Sequence, residues 1–358
     1  MAAHILILAG GTGGHIYPAL AVAEELIARG CRVTWMGTRS GMEAGIVPAR
    51  GIPMEWLNVA GFRGKGISGK LLALWRVFLA VFQANRIVAR LKPDLVLGLG
   101  GFVAGPGGLV AWLRHVPLVI HEQNRVPGTT NRLLARFAKV RLEAFPGSFS
   151  AKVAARCIGN PLRKEIVAAL APKRNVPERD NGVLHILVLG GSQGAAALNE
   201  TVPAALAKLD VRLEIIHQTG ARQQLETQAL YRQLGLDAKV TAFIEEMAEA
   251  YQWADLAVCR SGAMTVSELM AAGLPAVLVP FPHAIDDHQT QNARYLVDAG
   301  AAVLVRQPEL TAQHLASTLK LVIESPALLK QMSRQASLLA KTNAASEAAA
   351  VCMEWGSR

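Results

Sequence analysis

The stretch HILILAGGTGGHIYPALAVAEEL, residues 4–26, joins an apolar run to an amphipathic segment through four glycines. The run 5–9 is short enough for a buried parallel strand, and apolar residues recur after the glycines at helical spacing. A strand-to-helix turn directs backbone N–H groups and the positive end of the helix dipole towards one place. Glycine also admits a ligand close to the backbone. We therefore expect this turn to bind an anion or a sugar.

A second stretch, HILVLGGSQGAAALNETVPAALAKLDVRL (residues 185–213), repeats the same plan of strand, glycine-rich turn and alanine-rich helix. Further strands are predicted at 32–36, 95–99, 117–120, 213–217, 256–259 and 276–279, each beside a helical pattern. Alternating strands and helices indicate two doubly wound α/β domains with parallel sheets. The charged segment 171–182 has two prolines and no periodicity, and is interpreted as a surface loop near the boundary. Ligands of such domains bind beyond the carboxyl ends of the strands, and a cleft between two domains is the expected place.

Composition narrows the class of protein. The chain of 358 residues is 51% hydrophobic, which suits a two-domain globular enzyme. Its four cysteines are scattered without a CxxC motif, as expected for reduced thiols in the cytoplasm. No signal peptide or membrane-spanning run is predicted, so we expect a soluble or peripheral protein. The net charge of +10 predicts a negatively charged partner, but only 5% of residues are aromatic and no nucleic-acid motif is present, so nucleic acid is not expected.

Part of the positive charge lies in residues 61–94, where basic residues alternate with leucines and aromatics and no acidic residue occurs before Asp94. Two interpretations remain open from composition: a core helix with a solvated basic face, or a helix that lies on an anionic membrane surface.

The glycine motifs do not fit the common nucleotide fingerprints. Counting a dinucleotide motif from Gly11 places Ile16 at the third glycine, and the following strand ends without an acidic residue. The turn from Gly98 fails in the same way at Val103, and no GxxxxGK[ST] motif occurs. The glycines alone therefore predict an anion or sugar site without saying which.

Single polar residues leave alternatives open. In VCRSGAMTVSELMAAG, from residue 258, Thr265 and Glu268 fit a helix capping box, or the turn holds a diphosphate while Glu268 binds a ribose. His15 follows the first glycines and is either a general base or a helix-capping residue. Asn124 in HEQN and Arg163 in GNPLR are either ligand-binding or structural.

Seven stretches, in order, resemble one family. GGTGGHIYPALAVA, GLGGFVAGPGG, HEQN, GNPLR, GGSQGA, RSGAMTVSE and DDHQTQNA are similar to the motifs of the MurG family of bacterial glycosyltransferases, between Gly10 and about Gly300. These enzymes are UDP-N-acetylglucosamine:N-acetylmuramyl-(pentapeptide) pyrophosphoryl-undecaprenol N-acetylglucosamine transferases. The resemblance implies the GT-B architecture, with an acceptor- and membrane-facing domain of residues 1–161, onto which 341–358 pack back. It implies a UDP-sugar-binding domain of residues 162–340.

The resemblance also implies the donor-binding residues by motif matching. Glu268 matches the ribose ligand, Ile244 the backbone contact to uracil, and Gln289 the glutamine that reaches the sugar. The full set of matched donor-binding positions is Thr12, Gly13, Gly14, Asn124, Arg163, Ser192, Ile244, Ala263, Met264, Thr265, Val266, Ser267, Glu268 and Gln289.

The chemistry implied is an inverting displacement, in which the C4 hydroxyl of a lipid-linked muramyl sugar (lipid I) attacks the anomeric carbon of UDP-N-acetylglucosamine and gives a β-1,4 bond. His15 is our prediction for the base. Helix N-termini and Arg163 would stabilise the leaving diphosphate, and no required metal or other cofactor is predicted, in agreement with the lack of a DxD motif.

The lipid acceptor favours the membrane interpretation of the basic stretch, at the cytoplasmic face of the bacterial inner membrane. Other cell-wall synthesis proteins are expected as further partners. The residues predicted to meet the lipid surface are Lys70, Leu72, Trp75, Arg76, Phe78 and Val81, aided by Trp112. Two alternatives remain: a UDP-N-acetylglucosamine 2-epimerase of the same fold, and a nucleotide-sugar or membrane-surface binding protein without turnover.

Overall fold

A computed structural model describes residues 2–58, 67–170, 182–191 and 194–357, with the side chains of 67–74 and of Ile285 left out. Residues 171–181 of the predicted loop 171–182 and the predicted donor contact Ser192 lie outside these ranges, as do the side chains of Lys70 and Leu72. The chain divides into two compact units, Met1–Arg163 with Lys341–Arg358, and Lys164–Ala340.

The described strands number thirteen, and seven of them belong to the first unit. In chain order they are β1 His4–Leu8, β2 Arg32–Thr38, β3 Met54–Leu57, β4 Leu95–Gly98, β5 Leu118–Glu122, β6 Val140–Glu143, β7 Arg156–Cys157, β8 Val183–Leu189, β9 Arg212–Gln218, β10 Ala238–Thr241, β11 Leu256–Cys259, β12 Ala276–Leu278 and β13 Ala302–Leu304.

The α-helices of the described ranges follow the same order along the chain. They are α1 Gly13–Ala28, α2 Glu43–Ile46, α3 Ile67–Leu91, α4 Gly101–Leu113, α5 Thr129–Leu134, α6 Lys164–Leu170, α7 Ala196–Leu206, α8 Gln224–Gln233, α9 Met247–Trp253, α10 Ala263–Ala272, α11 His288–Asp298, α12 Ala312–Ile323, α13 Pro326–Leu339 and α14 Ala344–Gly356.

Each unit contains one parallel sheet, and the strand orders reverse at the first strand of each unit. The first sheet runs β3-β2-β1-β4-β5-β6-β7 and the second β10-β9-β8-β11-β12-β13. The predicted doubly wound α/β architecture is therefore confirmed. In such sheets the carboxyl ends of the central strands at the reversal point are where ligands bind.

The central strands explain the apolar runs in the sequence. Residues Ile5 to Leu8 of β1 are fully buried because helices cover both faces of the sheet, so an uninterrupted apolar run is stable there. The strands β3, β6, β7, β10 and β13 were not predicted, since each is only two to four residues long and shows no periodicity.

Strand β5 extends beyond the predicted 117–120 and includes His121 and Glu122. Both residues pair in register with β6, opposite Leu142 and Glu143, and their side chains are buried. Hydrogen bonds described below satisfy these polar side chains, which is the condition under which a buried strand tolerates them.

Helix α14 completes the first unit. It packs on α1 and on strands β1 and β4, and its Ala344, Ala348, Ala349 and Cys352 are buried in the same apolar cluster as β1. Small side chains on this face allow close approach to the strands. The last segment of the chain thus belongs to the core of the unit that begins it.

Candidate functional site

The first glycine turn places His15 in the opening turn of α1, directly after β1. Thr12 is the N-cap in an extended conformation, and its side chain makes no capping bond in the described structure. Gly11, at φ +95°, turns the chain in a way that L side chains rarely adopt. The N–H groups of Gly13, Gly14 and His15 therefore lie at the positive end of a sixteen-residue helix.

A buried carboxylate, which the sequence did not single out, holds this turn. Glu43 accepts hydrogen bonds from the backbone N–H of Gly11 at 3.1 Å and from the N–H and hydroxyl of Thr38 at 2.9 and 2.8 Å. A Cβ at Gly41 would fall 2.1 Å from a Glu43 oxygen, and one at Gly10 would fall 2.6 Å away. Gly10 and Gly41 therefore leave the space that the Glu43 carboxylate occupies.

A side chain that follows β5 and the backbone that follows β4 both lie against His15. Its Nδ1 lies 3.0 Å from Oε1 of Gln123, which follows β5. Gly100, after β4, has φ +98° and ψ −167°, and a Cβ there would be 2.9 Å from the His15 ring. The carboxyl ends of β1, β4 and β5 therefore converge on one imidazole.

The buried Glu122 shapes the loop that carries Asn124. Its Oε1 accepts from the backbone N–H of Asn124 at 2.9 Å and from the side-chain amide at 3.3 Å. Its Oε2 accepts from the N–H of Gly128 at 3.1 Å and from Nδ2 of Asn131 at 2.9 Å. Asn124 is thus held at the carboxyl end of β5, on the strand that also presents Gln123.

Arg163 lies on the same side of the first unit as α1. Its guanidinium carbon is 5.4 Å from the ring centre of Tyr17, one helical turn from the glycine loop, in cation–π geometry. The predicted residues Thr12 to His15, Asn124 and Arg163 all belong to this unit.

In the second unit, the predicted diphosphate segment Ala263–Glu268 forms the first part of α10, directly after β11. The helix begins at Ala263 with Gly262 as its N-cap, so Thr265 lies inside the first turn and the capping-box interpretation is wrong. Gly262 is extended, with φ −60° and ψ +147°, and glycine brings the backbone N–H groups close to any ligand. Glu268 instead accepts a hydrogen bond from the hydroxyl of Tyr251 on α9, at 2.8 Å.

Gln289, in the first turn of α11, is fixed to neighbouring loops. Its Oε1 accepts from the N–H of Phe281 at 2.9 Å, and its backbone carbonyl accepts from Oγ of Ser261 at 2.8 Å. Asp286 and Asp287 precede it with φ of +53° and +51°, a strained pair for residues other than glycine. This backbone orients the Gln289 amide with its oxygen towards Phe281.

Ile244 lies beyond β10 and lines an open pocket of about 810 Å³ with Thr241, Phe243 and residues of α9. The same helix contributes Ala250 to this pocket and Tyr251 to Glu268, so α9 connects the two predicted donor contacts. Within the described ranges, no group of three His, Cys, Asp or Glu side chains is placed to hold a metal ion.

The predicted membrane segment lies on α3, where aromatic side chains face outward. Trp75 and Phe78 are 57% and 58% exposed and stack with ring centres 5.6 Å apart, and Phe82 is 51% exposed. Helix α4 packs beside α3 and adds the exposed Trp112 and Leu113. The guanidinium of Arg86 lies 5.9 Å from the Phe82 ring. We call Trp75, Phe78, Phe82, Trp112 and Leu113 the aromatic patch.

No helix in the described part of the chain is both long and apolar enough to cross a bilayer.

Comparison with known proteins gives matches along the whole chain. Residues 5–142 match the glycosyltransferase family 28 N-terminal domain and residues 185–350 its C-terminal domain. A curated protein of Methylococcus capsulatus, named UDP-N-acetylglucosamine–N-acetylmuramyl-(pentapeptide) pyrophosphoryl-undecaprenol N-acetylglucosamine transferase, is 57% identical, with 99% of each chain covered.

Two solved structures place the fold. The crystal structure of Acinetobacter baumannii MurG has a TM-score of 0.86 and 42% identity, covering 98% of this chain and 99% of that one. A UDP-GlcNAc 2-epimerase from Neisseria meningitidis, bound to UDP-GlcNAc, has a TM-score of 0.67 at 13% identity, with 98% and 100% covered. The epimerase likeness concerns the fold alone, and the expected GT-B architecture is confirmed by the first structure.

Proposed function

The chain belongs to glycosyltransferase family 28, among the undecaprenol N-acetylglucosamine transferases, and from this premise we propose that it transfers N-acetylglucosamine from UDP-N-acetylglucosamine to lipid I. The acceptor is the C4 hydroxyl of the muramyl sugar, and the product is the β-1,4-linked lipid II. The observation that carries the proposal is 57% identity over 99% of both chains with a transferase of that name. An epimerase is less supported, since its likeness stands at 13% identity.

The two units divide the work in this proposal. The first unit holds the acceptor and the base, His15, and the second binds most of the UDP-sugar. Glu268 accepts from the ribose hydroxyls with its carboxylate oriented by Tyr251, and the N-terminus of α10 faces the diphosphate. Ile244 contacts uracil through its backbone, and Gln289 offers its amide nitrogen to the sugar, because its oxygen is bonded to Phe281.

The displacement requires one base and stabilisation of the leaving UDP. His15 lies in the first turn of α1 beside Gly100, whose lack of a side chain leaves space next to the imidazole ring. The N-terminus of α10 in the second unit supplies positive potential for the diphosphate. Arg163, in the first unit, is the predicted cation for the charge of the leaving group. We propose that the reaction needs no metal, and turnover should then be unchanged in excess chelator.

The first experiment is transfer of labelled N-acetylglucosamine to a short-chain lipid I analogue, with the free UDP-sugar monitored in parallel. β-1,4-linked product supports the proposal. Conversion of the donor to its 2-epimer without transfer would establish the epimerase, and UDP binding without either reaction would establish a binding protein. His15→Ala should reduce kcat by about 10²-fold or more, as for loss of a general base.

We further propose that the protein binds the cytoplasmic face of the bacterial inner membrane through the aromatic patch and the basic residues around it. Exposed Trp and Phe rings enter the headgroup region, while Lys and Arg attract anionic lipid. The exposure of Trp75 and Phe78 supports this more directly than that of Val81, which is half-buried.

Vesicle sedimentation tests the membrane proposal. Trp75→Ser with Phe78→Ser, and separately Lys70→Glu with Arg76→Glu, should weaken binding to anionic vesicles without changing the affinity for UDP. Leu225→Ser is the matched control, since Leu225 is 82% exposed but belongs to the second unit. Equal vesicle binding by the patch variants and the wild type would assign the patch to another role.

A further inference from the structure

The hydrogen bond between His15 and Gln123 determines which nitrogen of the His15 ring carries the proton. Nδ1 of His15 lies 3.0 Å from Oε1 of Gln123, a buried side chain. A neutral imidazole has one N–H donor and one acceptor nitrogen, and the partner of one nitrogen decides the state of both. The orientation of the Gln123 amide therefore decides whether Nδ1 of His15 donates or accepts.

Backbone contacts fix that amide. Nε2 of Gln123 lies 3.1 Å from the carbonyl oxygen of His121. A carbonyl can only accept, so the amide nitrogen and not the amide oxygen belongs there. The oxygen of Gln123 then faces His15. Because an amide oxygen also only accepts, Nδ1 of His15 must be the donor.

The His121 ring gives the same orientation independently. Its Nε2 lies 2.9 Å from the carbonyl oxygen of Gly159, so Nε2 carries a proton. Burial lowers the pKa of His121 to about 4, so the ring is neutral at cytoplasmic pH and its Nδ1 is an acceptor. That Nδ1 lies 3.1 Å from Nε2 of Gln123, which must again be the donor.

This series of hydrogen bonds ends at Gly159, which is also held in place. Gly159 has φ +89°, and a Cβ there would meet Lys341 at 2.5 Å. Lys341 donates to the carbonyl of Cys157 at 3.0 Å, and Nδ2 of Asn160 donates to the carbonyl of Gln123 at 3.0 Å. The Gly159 carbonyl therefore lies between Cys157 and Asn160, and a side-chain hydrogen bond holds each of these two residues in place.

We propose that Gln123, oriented by His121, fixes His15 in the tautomer that is protonated on Nδ1 and so leaves the lone pair of Nε2 for the acceptor hydroxyl. Gln123 and His121 are positioning residues, and the inference rests on the proposed role of His15 as base. The wrong tautomer would present an N–H to the hydroxyl and could not remove its proton.

Nitrogen NMR tests the tautomer without relying on activity. The full chain, labelled with ¹⁵N-histidine, is measured at mildly alkaline pH, where ordinary histidines are neutral, and His15 is assigned by loss of its signals in His15→Gln. The expected signature is a protonated Nδ1 and an unprotonated Nε2. In Gln123→Met, which lacks the acceptor, the signature should shift towards protonated Nε2.

Kinetics then connect the tautomer to the reaction. Gln123→Met should lower kcat by about 10-fold or more, with the donor KM within about twofold of wild type. Gln224→Met is the matched control, because Gln224 donates to the carbonyl of Val240 in the second unit and should leave both readouts unchanged.

Two results would overturn the proposal: a protonated Nε2 on His15 in the wild type, or an unchanged signature in folded Gln123→Met. A different result would show that His15 is not the base. If His15→Ala kept wild-type kcat while the wild type showed protonated Nδ1, the tautomer assignment would stand and the proposed catalytic role would not.

Discussion

The hydroxyl of Tyr251 donates a hydrogen bond to Oε2 of Glu268 across 2.8 Å. Tyr251 is buried on α9, and Glu268 lies in the second turn of α10, so the bond joins two helices of the second unit. A carboxylate held in this way has its remaining acceptor capacity aimed in a fixed direction.

Tyr251→Phe should therefore weaken nucleotide binding. Hydrogen bonds to charged groups contribute about 1.5–3 kcal/mol, and partial loss of orientation should raise the Kd for UDP by about 3- to 10-fold. Isothermal titration calorimetry with UDP measures this change.

Tyr231→Phe serves as the comparison for that variant. Tyr231 is equally buried, but its hydroxyl contacts Nδ1 of His217 rather than Glu268. A similar loss of UDP affinity in both variants would show that any buried hydroxyl matters and would contradict a specific role for Tyr251.

The buried Glu43 carboxylate supports the first glycine loop, and we expect its loss to lower stability. Glu43→Gln replaces one acceptor oxygen by an amide nitrogen, which is a donor. This nitrogen then faces either the N–H of Gly11 or the N–H and hydroxyl of Thr38. The mismatch should lower the free energy of unfolding by about 1–3 kcal/mol and reduce kcat, because the loop bearing His15 loses its support. Glu24→Gln, which removes an exposed ion pair with Arg50, should change stability by no more than about 0.5 kcal/mol. Equal urea midpoints for the two variants would contradict this prediction.

Gly100→Ala should impair catalysis by displacing the His15 ring. The added Cβ would lie 2.9 Å from Cε1 and 3.0 Å from Nδ1 of His15, the atom that contacts Gln123. We expect kcat at saturating substrates to fall by about 10-fold or more. Gly30→Ala is the matched control, since Gly30 has φ +82° but open space around its Cβ position. It should cost about 1 kcal/mol of stability and leave kcat unchanged.

Because His217 is buried, we expect the second unit to become less stable at acidic pH. Burial lowers its pKa from 6.5 to about 3, so the unfolded chain binds a proton between these values and the folded chain does not. Above pH 6.5 His217 is neutral in both states and does not make stability depend on pH. As the pH drops from 6.5 towards 3, the free energy of unfolding falls by at most about 1.4 kcal/mol per pH unit. Hydrogen exchange of β8 and β9 in urea, from pH 7 to 5, measures it.

In His217→Gln this pH dependence should be weaker over the same range. His314→Gln removes an exposed histidine of α12 and should behave as the wild type does. If both variants kept the wild-type slope, another group would have to be responsible.

The sequence was sufficient where one local pattern determines the structure. The apolar run of β1 and the glycines after it predicted the strand, the turn and the helix, because full burial and positive φ leave few alternatives. The motifs also singled out His15 in the first turn of α1, Asn124 after β5 and Glu268 in the second turn of α10. Their roles in binding and catalysis remain predictions.

Local sequence patterns could not identify the residues that hold the glycine loop and His15 in place, because these residues are far from them in the sequence. Gln123 meets His15 from 108 positions away and Glu43 meets Gly11 from 32, and neither spacing has a local signature. Thr265 shows the opposite error. It fitted a capping box by spacing, but Gly262 is the N-cap and the helix begins at Ala263, so Thr265 lies inside the first turn.

The packing of α14 has a consequence for synthesis. The β1 strand leaves the ribosome long before α14, because the alanines that cover part of it are made after all of residues 164–340. At typical translation rates, part of that apolar face waits on the order of ten seconds or more for its cover. The apolar face of β1 that α14 covers therefore stays uncovered through the synthesis of the second unit, and chaperones and proteases can reach it during that interval.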